Sequence, residues 1–167
     1  MKIILSVILC LLVSSVAFAQ DWRKLTAEEL KTIVPEKAPV IKEDIETELR
    51  TAAGITDGKS HILGVVIITA GYEADGKFTH FLRCQSKLTV GMVNLEAGDY
   101  VFGYKRVDNT TLRVSFYHAR SGEFVGNADA KVETKKGPIY SFLIEPPIEK
   151  KGKMYIGRFS MEYSLGK

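Results

Sequence analysis

Histidine and cysteine are the residue types most often used as metal ligands or nucleophiles, and the chain has three histidines and two cysteines. His61, His80 and His118 each stand alone, with no second histidine, cysteine or carboxylate at a spacing typical of metal ligands. Cys84 has no base at a recognisable spacing, which favours a buried small hydrophobic side chain over a nucleophile. The sequence therefore predicts no metal site and no cofactor.

The motifs of common hydrolases and phosphate-handling enzymes are missing: there is no Gly-x-Ser-x-Gly or His-Glu-x-x-His sequence and no glycine-rich phosphate loop. Paired carboxylates for glycoside hydrolysis can come from distant strands. Four acidic residues lie on or near predicted strands: Asp99, Asp129, Glu133 and Glu145. An extracellular carbohydrate-acting enzyme is therefore an alternative, although the sequence assigns no catalytic residue and favours a protein that is not an enzyme.

Lysines and tyrosines form the candidate binding set. Two lysine clusters flank glycine turns and could bind anions, and tyrosines on an exposed sheet face could stack on sugars. Solvated hairpin tips and the general preference of tyrosine for strands explain the same residues without a ligand. The candidate ligand-binding residues are Tyr104, Tyr117, Lys135, Lys136, Lys150, Lys151 and Lys153, with Tyr100 and Tyr163 as further tyrosines for the same face.

The first nineteen residues have the pattern of a secretory signal peptide. Lys2 is followed by an apolar run over 3–13, and Ala17-Phe18-Ala19 gives the small-x-small ending at which such peptides are cut, here before Gln20. We expect a secreted or periplasmic protein of bacterial type, with no transmembrane segment after this cleavage.

Removing 19 of the 167 residues leaves 148, which is enough for one domain with its own core. The 23 basic and 20 acidic residues nearly balance, whereas nucleic-acid binding needs a clustered basic field, so we expect no nucleic-acid partner. Cys10 lies in the predicted leader. Cys84 is then the one cysteine of the mature sequence and has no partner for an internal disulfide.

Residues 20–60 have the three-to-four-residue apolar period of helices, which predicts a helical lead-in packed on the following domain. Thr26 and Glu29 form a capping box and predict a short helix near 27–34, which ends before a proline. A second apolar stripe predicts another helix over 40–53, with the spacing i, i+4, i+8 at Ile41, Ile45 and Leu49.

From 61 to 167 the pattern changes to the alternation of strands separated by Gly and Asp turns. The continuous β-branched run Ile62–Thr69 predicts a strand buried on both faces. Seven or eight strands are expected, in an antiparallel β-sandwich or small barrel on which the two short helices pack. Tyr100 is placed to form a corner in which its hydroxyl bonds a nearby main chain.

Two stretches carry a resemblance to uncharacterised secreted bacterial β-rich proteins. Leu88 to Gly103 reads Leu-x-x-Gly-x-x-x-Leu-x-x-Gly-x-Tyr-x-Phe-Gly, and Tyr155-Ile156-Gly157-Arg158 follows some fifty residues later. To a lesser degree, Asp75-Gly76-Lys77-Phe78 together with 93–104 resembles the carboxypeptidase regulatory-like and transthyretin-like β-sandwich modules. The first resemblance covers about the last 80 residues and implies secretion and a β fold, without an activity.

Together these patterns predict a secreted or periplasmic, non-enzymatic binding or interaction module of unknown ligand. The candidate partners are an extracellular glycan, an envelope component or another protein. Besides the enzyme, a second alternative is a small-ligand carrier that uses the interior of a barrel.

Overall fold

The computed structural model describes residues 21–69, 78–134 and 137–166 as a mainly β protein. Of these residues 62% lie in strands and 5% in a helix. The predicted leader lies outside the described residues, as do the first three residues of the Asp75-Gly76-Lys77-Phe78 stretch. The helix is α1 (Ala27–Ile33), and the strands are β1 (Arg23–Lys24), β2 (Lys37–Val40), β3 (Glu43–Thr56), β4 (His61–Ile67), β5 (His80–Cys84), β6 (Leu88–Val90), β7 (Val93–Leu95), β8 (Gly98–Arg106), β9 (Thr111–His118), β10 (Phe124–Val132), β11 (Tyr140–Ile144), β12 (Lys151–Gly157) and β13 (Phe159–Leu165).

The strands form one antiparallel sheet in the order β1-β3-β4-β5-β8-β9-β10-β13-β12-β11. The short strand β2 pairs with β3, and the β6–β7 hairpin pairs with the end of β13. The sheet curls into a nearly closed barrel. The prediction of a mainly β, antiparallel fold is confirmed, but the expected number of seven or eight strands is wrong, because the described chain divides into 13 mostly short strands.

The two ends of the sheet meet where β11 packs against β3 and β4, and we call this junction the seam. Within the described residues β11 forms a backbone ladder with β12 alone. The seam is joined by side chains: the ring of Phe142 fills the space that a Cβ on Gly64 would need. Inside the barrel, His80 Nε2 lies 3.3 Å from the carbonyl oxygen of Ser141. Glycine in β4 therefore permits the closure.

Two hydrophobic clusters lie on the two faces of the sheet. The inner cluster fills the barrel with large side chains, among them Leu82, Tyr100, Phe102, Phe116, Phe142 and Tyr163. The outer cluster lies between the sheet and the N-terminal segment that contains α1 and β2. Strand β4 serves both, since Ile62 belongs to the inner cluster and Leu63 and Val65 to the outer one. The prediction that this strand is buried on both faces is confirmed.

Helix α1 begins as predicted. The Thr26 hydroxyl accepts a hydrogen bond from the Glu29 amide at 3.2 Å, and the Glu29 carboxylate accepts one from the Thr26 amide at 2.8 Å. The second helix, predicted over 40–53, is wrong: this segment holds the end of β2 and most of β3. A spacing of four keeps side chains on one face of a strand as well as of a helix, so the apolar stripe did not distinguish the two.

The predicted corner at Tyr100 is confirmed. Its side chain is buried, and its hydroxyl donates a hydrogen bond of 2.9 Å to the carbonyl oxygen of Glu96. Because the bond spans four residues, it fixes the turn that leads from β7 into β8.

Candidate functional site

An open cleft of about 850 Å³ lies at the sheet end formed by β11, and we call it the seam cleft. Strand β1, at the other end of the strand order, also contributes to its lining, as do the end of β10 and the β12–β13 hairpin. Its volume falls in the range of roughly 300 to 1,000 Å³ typical of ligand pockets. Among its lining residues, those able to carry chemistry are Lys24, Glu133, Tyr140, Glu145, Tyr155 and Arg158.

The β12–β13 hairpin presents two of these side chains. Ile156 pairs with Phe159, so Gly157 and Arg158 alone make the loop. Gly157 has φ +60° at the first loop position, where two-residue hairpins of type II′ place glycine. The carbonyl oxygen of Arg158 accepts a hydrogen bond of 2.8 Å from the Glu133 amide, which ties the loop to the end of β10. The backbone that presents the Arg158 guanidinium is therefore fixed.

The Glu133 carboxylate is held by two neighbouring strands. Its Oε1 accepts hydrogen bonds from Lys153 Nζ at 2.6 Å and from Ser160 Oγ at 2.5 Å. These bonds lower the pKa of Glu133 and, in turn, raise the pKa of Lys153. Both groups are therefore charged at neutral pH, and the ammonium of Lys153 neutralises the carboxylate at the cleft.

Glu145 follows β11 and has a fixed backbone. Its amide donates to the Lys153 carbonyl at 3.0 Å, and its carbonyl accepts from the Tyr163 hydroxyl at 2.5 Å. Its Oε2 accepts a hydrogen bond of 3.1 Å from the Tyr155 hydroxyl. Burial, and next the charge of Glu145, raise the pKa of Tyr155, so this hydroxyl stays protonated and donating at neutral pH.

The remaining lining residues give the cleft an aromatic side chain and two cations. Tyr140 is 42% exposed, so part of its ring is free to contact a ligand. Within the described part of the chain, neither Lys24 nor Arg158 forms a side-chain ion pair, in contrast to Glu133. The cleft can thus accept hydrogen bonds through Glu133 and Glu145, donate them through its cations, and stack a ring.

The tyrosines predicted to share one exposed face are not together. Tyr104 packs against the inner cluster and Tyr117 against the outer one, so they lie on opposite sides of the sheet. Tyr100 and Tyr163 are 2% exposed and belong to the core, so the prediction of an exposed face is wrong for them. Tyrosines on different strands cannot be assigned to a face before the register of the barrel is known.

The candidate lysines are also dispersed. Lys150 has φ +70° in the exposed turn before β12, and Lys151 is exposed at the start of that strand. Lys153 is half-buried and reaches the seam cleft through its ion pair with Glu133. Lys135 and Lys136 lie outside the described residues, in the sequence between two lining residues of the cleft.

The four dispersed carboxylates separate into two groups. Asp99 is bonded to Arg83 at 2.8 Å through both oxygens, and Asp129 is bonded to Arg113 at 3.0 and 3.4 Å. Both aspartates therefore form ion pairs with an arginine of the neighbouring strand, from β8 to β5 and from β10 to β9. The two glutamates both line the seam cleft.

In the described ranges, no three histidine, cysteine or acidic side chains come together as ligands for a metal ion. Cys84 is buried, as predicted, and burial raises the pKa of its thiol to about 12. His80 is buried against Phe102, and burial lowers its pKa to about 4. These groups belong to the fold rather than to the cleft.

Four of the cleft residues able to carry chemistry are not among the candidates from the sequence, namely Lys24, Tyr140, Tyr155 and Arg158. The signal for Arg158 was present: the Tyr-x-Gly-Arg stretch places a glycine between two alternating segments, which predicts a tight hairpin. Three residues of that stretch, Tyr155, Gly157 and Arg158, line the cleft. Lys24 carries no such signal, because its position depends on where the two ends of the sheet meet.

No family model, curated protein or solved structure matches the chain. In the part of the chain that the structure describes, there is no helix of the length and apolar character needed to cross a membrane.

Proposed function

We propose that this chain is a secreted or periplasmic, non-enzymatic binding module that holds an extracellular glycan in the seam cleft. One observation carries the proposal: a single open cleft combines two tyrosines, two carboxylates and two cations. Sugars present many hydroxyls and apolar ring faces, so they suit hydrogen-bonding carboxylates and arginine beside a partly exposed aromatic ring. Secretion rests on the leader pattern of residues 1–19.

The packing of the barrel favours the cleft over the interior. A small-ligand carrier would need internal space, whereas the inner cluster places the rings of Tyr100, Phe102, Phe116 and Phe142 inside the barrel. The seam cleft, by contrast, is open to solvent.

The test is thermal unfolding of residues 20–167 with a panel of glycans, followed by calorimetric titration of those that raise the melting temperature. A ligand at about 100 times its Kd stabilises the fold by about 2.7 kcal/mol. We expect Tyr140→Ala to abolish most of this stabilisation. Phe124→Ala is the matched control, because Phe124 is also an exposed aromatic residue (53%) but does not line the cleft.

Two results would contradict the proposal. One is a complete panel, including neutral and acidic glycans, that leaves the melting temperature unchanged. The other is a glycan whose stabilisation survives Tyr140→Ala and is lost in the control variant.

The second candidate is the carbohydrate-acting enzyme, and the presence of both Glu133 and Glu145 in one cleft favours it. Incubating a bound glycan with the protein and assaying new reducing ends tests it. Cleavage that disappears in both Glu133→Gln and Glu145→Gln would establish the enzyme. A bound glycan that stays intact would rule out cleavage of that glycan and support the binding module as the function.

A further inference from the structure

We propose that the ligand of the seam cleft is an acidic glycan, built from uronate units, and that Arg158 binds its carboxylate with help from Lys24. This inference rests on the proposed glycan-binding function and goes beyond it by assigning the chemical class of the sugar and the residues that select it.

The first argument is the balance of charges. Glu133 is already neutralised by the ammonium of Lys153 at 2.6 Å and by the hydroxyl of Ser160. Arg158 and Lys24 form no ion pair with any described residue. One cleft carboxylate, that of Glu145, stands against these two cations, and its Oε2 already accepts the Tyr155 hydroxyl. An anionic group on the ligand is therefore the partner that the cleft lacks.

The second argument is the rigidity of Arg158. The guanidinium projects from a two-residue hairpin loop whose conformation is set by Gly157 and whose carbonyl is bonded to the Glu133 amide. A guanidinium offers a planar fork of donors that matches the two oxygens of a carboxylate. A fixed backbone reduces the entropy lost when such a bidentate contact forms.

The third argument is the origin of Lys24. This residue lies on β1, where it pairs with Ile55 of β3. Strand β1 is at one end of the strand order, whereas Arg158 lies in the β12–β13 hairpin near the other end. The following residue, Leu25, donates from its amide to the Gly54 carbonyl at 2.9 Å and holds the segment in place. Two cations supplied by separate elements suit a ligand with repeated charges better than one with a single charge.

The test compares acidic oligosaccharides with their own methyl esters, which keep the sugar and remove the charge. The probes are oligomers of galacturonate, mannuronate and glucuronate, titrated calorimetrically into residues 20–167 at low salt. We expect at least one acid to bind about tenfold more tightly than its ester, a difference that decreases as salt screens the charges.

Variants assign the effect. Arg158→Gln is expected to bring the acid and its ester to within about threefold of each other, because the acid loses more affinity than the ester when the guanidinium is removed. Lys105→Gln removes the same charge from an exposed position of β8 outside the cleft, and is expected to preserve the tenfold preference.

The outcomes separate the two proposals. Equal binding of every acid and its ester overturns the acidic class and leaves the glycan-binding function standing. Absence of binding by all acids, esters and neutral glycans overturns both. A preference that persists in Arg158→Gln overturns the assignment of that residue. Polyglutamate that binds as tightly as the acids overturns the requirement for sugar.

Discussion

His80 is buried in the barrel in its neutral form, so its protonation in acid is expected to destabilise the protein. A carbonyl oxygen only accepts hydrogen bonds, so the contact of 3.3 Å to Ser141 places the proton on Nε2. Nδ1 is then the acceptor for the Thr79 hydroxyl at 2.8 Å. The ring also stacks on Phe102, with centroids 4.7 Å apart. A second proton on the ring would remove the acceptor and place a charge in the core.

The size of the effect follows from the pKa of His80, which burial lowers from 6.5 to about 4. Each pKa unit corresponds to about 1.4 kcal/mol, so the full difference corresponds to about 3 kcal/mol. Because the folded pKa lies below the unfolded one, this stability is fully present above pH 6.5 and is lost as the pH falls towards 4. At pH 4.5 the expected loss is about 2 to 3 kcal/mol.

The assay is urea unfolding of the unmodified protein and of His80→Gln between pH 7.5 and 4.5. Glutamine can donate to the Ser141 carbonyl but does not titrate in this range. Carboxylates with a lowered pKa, such as Glu133 and Asp129, also lose stability in acid, but they do so equally in both proteins. The difference in unfolding free energy between the two proteins isolates the histidine. A difference that changes by less than about 1 kcal/mol over this range would refute the reasoning.

Three further predictions concern the backbone and its turns. Gly64→Ala forces a methyl group into the ring of Phe142 and is expected to lower the free energy of unfolding in urea by about 1 to 3 kcal/mol. Gly137→Ala is the control and should leave this free energy unchanged, because no atom lies within 4 Å of the added carbon. Tyr100→Phe should lower the unfolding free energy by about 1 kcal/mol through loss of its corner hydrogen bond, and an unchanged melting temperature would contradict this role. In Gly157→Ala the added methyl group meets no neighbouring atom, but the alanine must adopt φ +60°. A decrease of about 1 kcal/mol or more in the free energy of unfolding would therefore report backbone strain alone. No decrease would show that the hairpin can rearrange.

Local signals in the sequence were sufficient for single elements. The capping box at Thr26 gave the start of α1, and the continuous β-branched run gave β4 with both faces buried. The stripe Ile41, Ile45, Leu49 failed because spacings of four are even, so they also keep one face of a strand. In the structure Ile41 has φ +56° in the β2–β3 turn, and Leu49 is 40% exposed.

The seam cleft was less accessible to prediction because its walls meet only in three dimensions. Glu133 and Glu145 were recognised as strand-end carboxylates, but nothing in the sequence separated them from Asp99, which serves an ion pair with Arg83. That separation needs the register of neighbouring strands, which the alternation of side chains does not supply.

The seam has a consequence for the order of folding. The contacts that close it join distant parts of the chain: His80 and Ser141 are 61 residues apart, and Gly64 and Phe142 are farther apart still. Hairpins between consecutive strands close short loops and form first, whereas contacts over such separations carry a larger entropic cost and form late. The cleft depends on both ends of the sheet being in place, so it is complete only after this last step. Under the proposed function, binding of the glycan is expected to report a fully closed barrel, because a species with its hairpins formed and its seam open lacks the seam cleft.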